Sequence, residues 1–251
     1  WRFEMKRGML EGNLEKDPST VIAHGMKVQM LLERAECYFD SRHKDRVLVL
    51  GGVEASLSEA LGKNESERSA TMRRLQVFFN RIFAEVTDVD VAGVMTMLIG
   101  LAEPYYRWTY RNAQDAITSA NISMLEKVYS VLVVPDFHNK VETGIHCRMY
   151  DHRVAKEAML SRQAAKQWAL TNAARQAGVQ LMSIKPWEWW DKPKSFRFLL
   201  TPSGTAIQVA KTIEALLVLT IPIVRRGPYP TYDHLVSMGF PIVVVNSWDD
   251  V

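Results

Sequence analysis

The segment Phe196–Val224, FRFLLTPSGTAIQVAKTIEALLVLTIPIV, constrains the fold more than any other part of the chain. Phe196–Thr201, rich in aromatic and aliphatic residues, reads as a strand that stops at the turn Pro202-Ser-Gly204. An amphipathic stretch from about Ile207 to Leu219 reads as a helix, and Pro222 lies at the start of a second strand, Ile221–Arg225. Strands that alternate with helices imply a parallel sheet covered on both faces.

The same alternation runs through the second half of the chain. Val128–Val134 and Val179–Ile184 read as strands, separated by a polar loop, His138–Tyr150, and a long helix, Arg153–Ala177, closed by Gly178. The short helix Tyr232–Met238 and the strand Pro241–Asn246 continue the pattern. The first half is less regular. Ser19 is expected to cap a helix reaching about Arg42, and Arg46–Leu50 is a buried strand ending in Gly51-Gly52. Ala55–Leu61 reads as helix, Gly62–Ser69 as loop, Met72–Glu85 as mixed helix and strand, and Val91–Leu101 as a strand running into a turn. The expectation is an α/β fold of two lobes, 1–122 and 123–251, each built on a Rossmann-type parallel sheet, the first incomplete and the second truncated at its end.

Composition narrows the function classes. The chain has 251 residues, 47% of them hydrophobic, and a net charge of +3, which suits a small anionic ligand and lacks the concentrated basic face of a nucleic-acid binder. Cys37 and Cys147 form no metal-ligand spacing; a single disulfide or two buried thiols fit them equally. The longest apolar runs, Val91–Ala102 and Ala215–Val224, fall short of the roughly 18–20 residues of a membrane span. The chain starts at Trp1 and stops just after SWDD, so it reads as a fragment, and a membrane anchor is expected only in a missing N-terminal segment.

A glycine turn that feeds a helix N-terminus can receive a phosphate, because unpaired backbone N–H groups and the helix dipole both favour an anion there. At about 100° per residue, Val209, Ala210, Ile213, Leu216 and Leu217 share one face, expected to meet the sheet. Gln208 and Lys211 lie opposite and Glu214 at the boundary, forming an i, i+3 stripe toward ligand or solvent. Spacing alone favours a surface Lys211–Glu214 ion pair, worth a few tenths of a kcal/mol. Arg148 and Arg153 are candidate phosphate contacts, since guanidinium suits that geometry. Trp187, Trp189 and Trp190, like Phe83, Tyr105, Tyr106 and Trp108, fit either stacking on a ligand or packing a loop on the core. Glu54, Asp88, Asp90 and Glu103 follow apolar runs or turns, and no spacing singles out one of them as a catalytic base.

From Phe196 to Trp248, roughly the last fifth of the chain, the sequence resembles the donor-binding part of exostosin-like glycosyltransferases and related GT-B enzymes. The elements are Pro202-Ser-Gly204, Lys211, Glu214-Ala-Leu216, Ile221-Pro-Ile-Val224, and the strand Pro241–Val245 before Ser247-Trp248. The resemblance implies a metal-independent transferase that moves a sugar from a nucleotide-sugar to a glycan or other hydroxyl acceptor, with no further cofactor. It implies a donor site in which Gly204 and Thr205 meet the diphosphate, Lys211 neutralises it and Glu214 takes the ribose hydroxyls, with Arg153 opening the long helix. Acceptor and base would come from the N-terminal half. A Golgi or secretory lumen would follow in a eukaryote, and the cytoplasm otherwise. Thr205-Ala206 replace a second glycine, lysine stands where arginine is common, and Val218-Leu219-Thr220 replaces a small or glycine linker. These departures give the alternative expectation, a non-catalytic glycosyltransferase-like binding domain.

Overall fold

The computed structural model describes residues 2–5, 18–51, 56–100, 113–120, 129–134, 152–204 and 207–251. The fold is α/β, with two five-stranded sheets whose strands all pair in parallel. Contacts divide the chain into two compact units, Trp1–Met97 with Tyr229–Thr231, and Leu98–Pro228 with Tyr232–Val251. The sequence placed the boundary later, at 122/123. Ala113 and Ala116, in a helix covering 113–118 (α4), pack with Trp190 and Val218, which ties that helix to the second unit.

In the first unit, β1 (Arg2–Met5), β2 (Thr20–His24), β3 (Val47–Gly51), β4 (Arg81–Ala84) and β5 (Val94–Thr96) lie side by side in chain order. Helices α1 (Val28–Tyr38), α2 (Leu57–Leu61) and α3 (Glu65–Phe78) supply the residues that pack on Val21, Ala23, Leu48, Leu50, Ile82 and Ala84. Two sequence expectations are corrected here. The helix expected from Ser19 begins only at Val28, because Val21 and Ala23 alternate with half-exposed Thr20, Ile22 and His24 as a one-sided strand does. The loop expected at Gly62–Ser69 is helical from Glu65, because the Asn64 side chain accepts the Glu67 N–H as an N-cap.

Among the described residues of this unit, Arg46 is the largest fully buried side chain. Its guanidinium donates to the carbonyls of Asp40, His43 and Phe78, at 2.8, 2.7 and 3.3 Å, and lies 5.1 Å from the Phe39 ring centroid. Phe78 is the last residue of α3 and Asp40 lies just beyond α1, so one fixed cation serves carbonyls at two helix ends, where the dipole favours positive charge. Cys37 is an exposed free thiol, not a buried one.

The second sheet runs β10 (Val243–Val245), β9 (Ile221–Arg225), β8 (Phe196–Leu200), β6 (Tyr129–Val133), β7 (Val179–Leu181). The strand met first in the chain therefore lies between the second and the third, the doubly wound order in which successive crossovers run in opposite directions. One face packs on α5 (His152–Ala169), through Ala165, Trp168 and Ala169 against Val131, Val133, Leu200 and Ile223. The other packs Leu132, Phe196 and Leu199 on Ala215 of α7 (Ala210–Leu217). The long helix expected to Ala177 is two helices, because Thr171 caps a new one, α6 (Asn172–Gln176), by accepting the Ala174 N–H. Gly178, at φ +77°, takes the left-handed position read from the sequence. Pro222 is tolerated beside two neighbouring strands because β10 pairs only from Ile223 onward.

At the end of α7, Leu219 adopts φ +57° and is 39% exposed. A left-handed L-residue costs about 1–2 kcal/mol that glycine avoids, and glycine's looser unfolded chain takes back part of the gain. Leu219→Gly is therefore expected to raise stability by about 0.5–1 kcal/mol, read as a higher urea midpoint at unchanged slope. A lower midpoint would mean that the exposed leucine contributes more than its backbone costs.

Candidate anion site at the end of strand β8

Parallel strands of a doubly wound sheet place ligands outside their C-terminal ends, beside the pair of strands where the order reverses. Here that pair is β6 and β8. The turn Thr201-Pro-Ser-Gly204 leaves the C-terminal end of β8, so the glycine turn singled out from the sequence lies at this edge. Thr201 is anchored there by its N–H and hydroxyl, both donating to the Ile223 carbonyl, at 2.9 and 3.3 Å.

Arg162 of α5 reaches the turn from the opposite face of the sheet. Its Nε donates to the Ser203 carbonyl at 3.0 Å. Gly204 is buried, and a Cβ there would lie 2.5 Å from Val209 Cγ1 and 3.1 Å from Arg162 Nη2. The glycine is thus required by packing as well as by any ligand, because its missing side chain lets the turn, the guanidinium and the residue before α7 come together. Val209, the N-cap of α7, supplies no side-chain cap, and the first turn carries no acidic residue. Backbone donors, a helix N-terminus and a guanidinium are the groups that bind a phosphate. On the same α5, Glu157 pairs with Arg225 at the end of β9, 2.8 Å apart and roughly one-third exposed, fixing this helix against a second strand end.

The helix face read from the sequence is corrected. α7 starts at Ala210, not Ile207, and the residues buried along it are Thr212, Glu214 and Ala215, followed by Val218. Small Thr212 and Ala215 let the helix approach the sheet closely. Leu217 faces instead the layer formed by Ala113, Ala116 and Trp190, so the sequence's single apolar stripe is divided between two neighbours. Gln208, expected to face ligand or solvent, is 1% exposed and its Oε1 accepts the Ile99 N–H at 3.1 Å. Glu214 is 7% exposed, so it does not stand on the stripe toward ligand or solvent expected of it. Lys211 is half-buried with Nζ 5.7 Å from the Trp189 ring centroid, a cation–π contact.

The remaining candidates fall as follows. Arg153 lies in the first turn of α5, its side chain outside the described residues, as are Thr205, Glu54, Glu103, Tyr105, Tyr106, Trp108, Arg148 and the loop 138–150. Asp88 accepts from the Ser58 N–H at 2.9 Å and from its hydroxyl, which makes it an anchor for the start of α2. Trp190 is buried in the outer layer, whereas Trp187 is 58% exposed. Among the described residues no group of three His, Cys, Asp or Glu is placed to hold a metal ion, and no described helix is long and apolar enough to cross a membrane. Arg162 was missed because a lone arginine within a long amphipathic helix looks like any solvated one; only its position beside the turn distinguishes it.

Tyr232, at the start of α8 (Thr231–Ser237), donates to the Ile207 carbonyl at 3.1 Å, pinning the approach to α7. Burial pushes its phenol up to about 12, with the nearby Thr212 hydroxyl pulling weakly the other way. Below pH 10, the ordinary value, both folded and unfolded chains carry a neutral phenol. Between about pH 10 and pH 12 only the unfolded chain ionises, so stability falls across that window, by up to roughly 3 kcal/mol in total. Tyr232→Phe is expected to lose the Ile207 bond at neutral pH yet show a shallower stability loss over that window, measured by urea unfolding at stepped pH. An equally steep loss in the variant would assign the alkaline transition to other groups.

The chain matches no protein-family model, and no curated protein matches it.

Proposed function

We propose that the second unit binds the diphosphate of a nucleotide-sugar, and that the chain is a glycosyltransferase of the GT-B kind acting on a glycan or other hydroxyl acceptor. The observation that supports this most is the meeting of Arg162, the Ser203-Gly204 turn and the uncapped start of α7 at the C-terminal end of β8. In this reading Gly204, Thr205 and the first N–H groups of α7 cradle the diphosphate. Arg162 provides the bidentate charge that the resemblance gave to Lys211, whose ammonium is engaged with Trp189. Glu214 keeps the ribose role, and Arg153 stands at the same end of α5 as the loop that precedes it. Fixed positive charge stabilises the leaving nucleoside diphosphate without reorganising at the moment of reaction.

The test is calorimetric titration of the chain with uridine and guanosine diphosphates. Arg162→Ala should weaken binding about tenfold to a hundredfold, the worth of a charge-assisted contact, with Arg162→Lys in between. Lys211→Ala should change affinity less than Arg162→Ala does. Equal affinity in wild type and both Arg162 variants would contradict the proposal. The alternative of a non-catalytic binding domain rests on the replaced glycine at Thr205 and the linker leucine at 219; release of labelled sugar from a nucleotide-sugar donor by the chain would eliminate it.

A further inference from the structure

Helices α1, α2 and α3 of the first unit border an open groove of about 310 Å³. Its floor is apolar, made by the buried side chains of Val28, Ala60 and Leu61. Its polar lining is rich in hydrogen-bond acceptors. Glu59 of α2 and Glu67 of α3 stand on the rim, and among the described residues no lysine or arginine lines it. Both carboxylates are held by local donors. Glu59 accepts the Ser56 N–H at 3.4 Å, and Glu67 accepts the Lys63 N–H at 2.9 Å and the Asn64 side-chain amide at 2.7 Å. Because α2 is only five residues long, the carbonyls of Glu59, Ala60 and Leu61 lie past its last intrahelical bond. They receive no backbone N–H among the described residues, and the Lys63 N–H that would close on Glu59 is taken by Glu67. Thr71 of α3 is 7% exposed and lines the same groove, and its hydroxyl has no hydrogen-bond partner among the described residues. Buried hydroxyls are rarely left so. The arginines of α3 that approach this region are engaged, Arg74 with Glu36 at 2.8 Å and Arg68 with the Gly62 carbonyl at 3.4 Å.

We propose that this groove binds a protonated aliphatic polyamine. An apolar floor beneath two fixed carboxylates matches methylene segments that separate ammonium groups. An ammonium is a donor with no acceptor, so it fits a lining of carboxylates and carbonyls that would repel a phosphate or a carboxylate ligand. The carbonyls at the end of α2 add the negative end of that helix, where cations are favoured. The Thr71 hydroxyl supplies a further acceptor at the floor. Because Glu59 and Glu67 are already positioned by their own hydrogen bonds, little ordering cost opposes binding. A neutral polyol could donate to the same oxygens, yet it would gain nothing from the two charges. Every residue of the groove lies in the first unit, so the inference is independent of the anion site in the second.

The experiment is an amide chemical-shift titration of the whole chain with spermidine at low ionic strength, beside octanediol, an uncharged chain of similar length. Spermidine should give saturable shifts at Ala60, Leu61, Gly62 and Thr71, and octanediol should not. Glu59→Gln and Glu67→Gln keep the size and one acceptor oxygen, and each should weaken spermidine roughly threefold to tenfold, the scale of one partly exposed charge. Thr71→Val, of nearly the same shape, should weaken it less. Glu33→Gln, which neutralises an exposed carboxylate of α1 outside the groove, should leave the affinity unchanged. Three results would each overturn the proposal: no saturable shifts at the groove, octanediol binding as well as spermidine, or a Glu33→Gln loss equal to that of Glu59→Gln. The first two need only the wild-type chain, so they decide the matter even where a variant fails to fold.

Discussion

The position of β6 between β7 and β8 is the constraint on which the second unit depends. Because the chain leaves β6 in one direction to form β7 and returns past it to form β8, α5 lies on one face of the sheet and α7 on the other. The two crossovers diverge at the C-terminal ends of β6 and β8. An arginine on α5 can then approach the turn after β8 from one side while α7 starts on the other. Had the strands followed chain order, as in the first unit, α5 and α7 would share a face and no such convergence would arise.

Within that frame the local contacts are close and specific. Gly204 admits both Val209 and Arg162, and a methyl group there would overlap the valine side chain. Thr201 ties the turn to β9, Gln208 ties the segment after it to Ile99, and Tyr232 ties it to α8. The backbone between β8 and α7 is thus held at several points by buried hydrogen bonds, each satisfying a group that would be costly to leave unpaired. A preorganised turn of this kind can bind an anion with little ordering cost.

Much of the second unit was legible in the sequence because its strands are short buried runs punctuated by Pro and Gly, as at VYSVLVV and TPSG. The failures have physical causes. TVIAH was absorbed into a helix because Val21 and Ile22 also fit a 3.6-residue period, and only burial on one face, with Val21 and Ala23 inward, decides for a strand. The α7 face was misassigned because a single-stripe argument assumes one neighbour, whereas this helix has the sheet beneath it and Trp190 with α4 outside. Arg162 gave no signal because its meaning comes from a turn far away in sequence. The turn at Gly204 was legible as a candidate; the partner that completes it was not.

The central claim is that the β8 edge of the second unit is the anion site. Its most direct test is amide chemical-shift mapping of the chain during titration with uridine diphosphate. The account predicts saturable shifts at Ser203, Gly204, Ala210 and Lys211 and in the Arg162 side-chain N–H, with the β1–β5 strands of the first unit unperturbed. Saturable shifts confined to the first unit, with the Ser203–Lys211 segment unmoved, would contradict it.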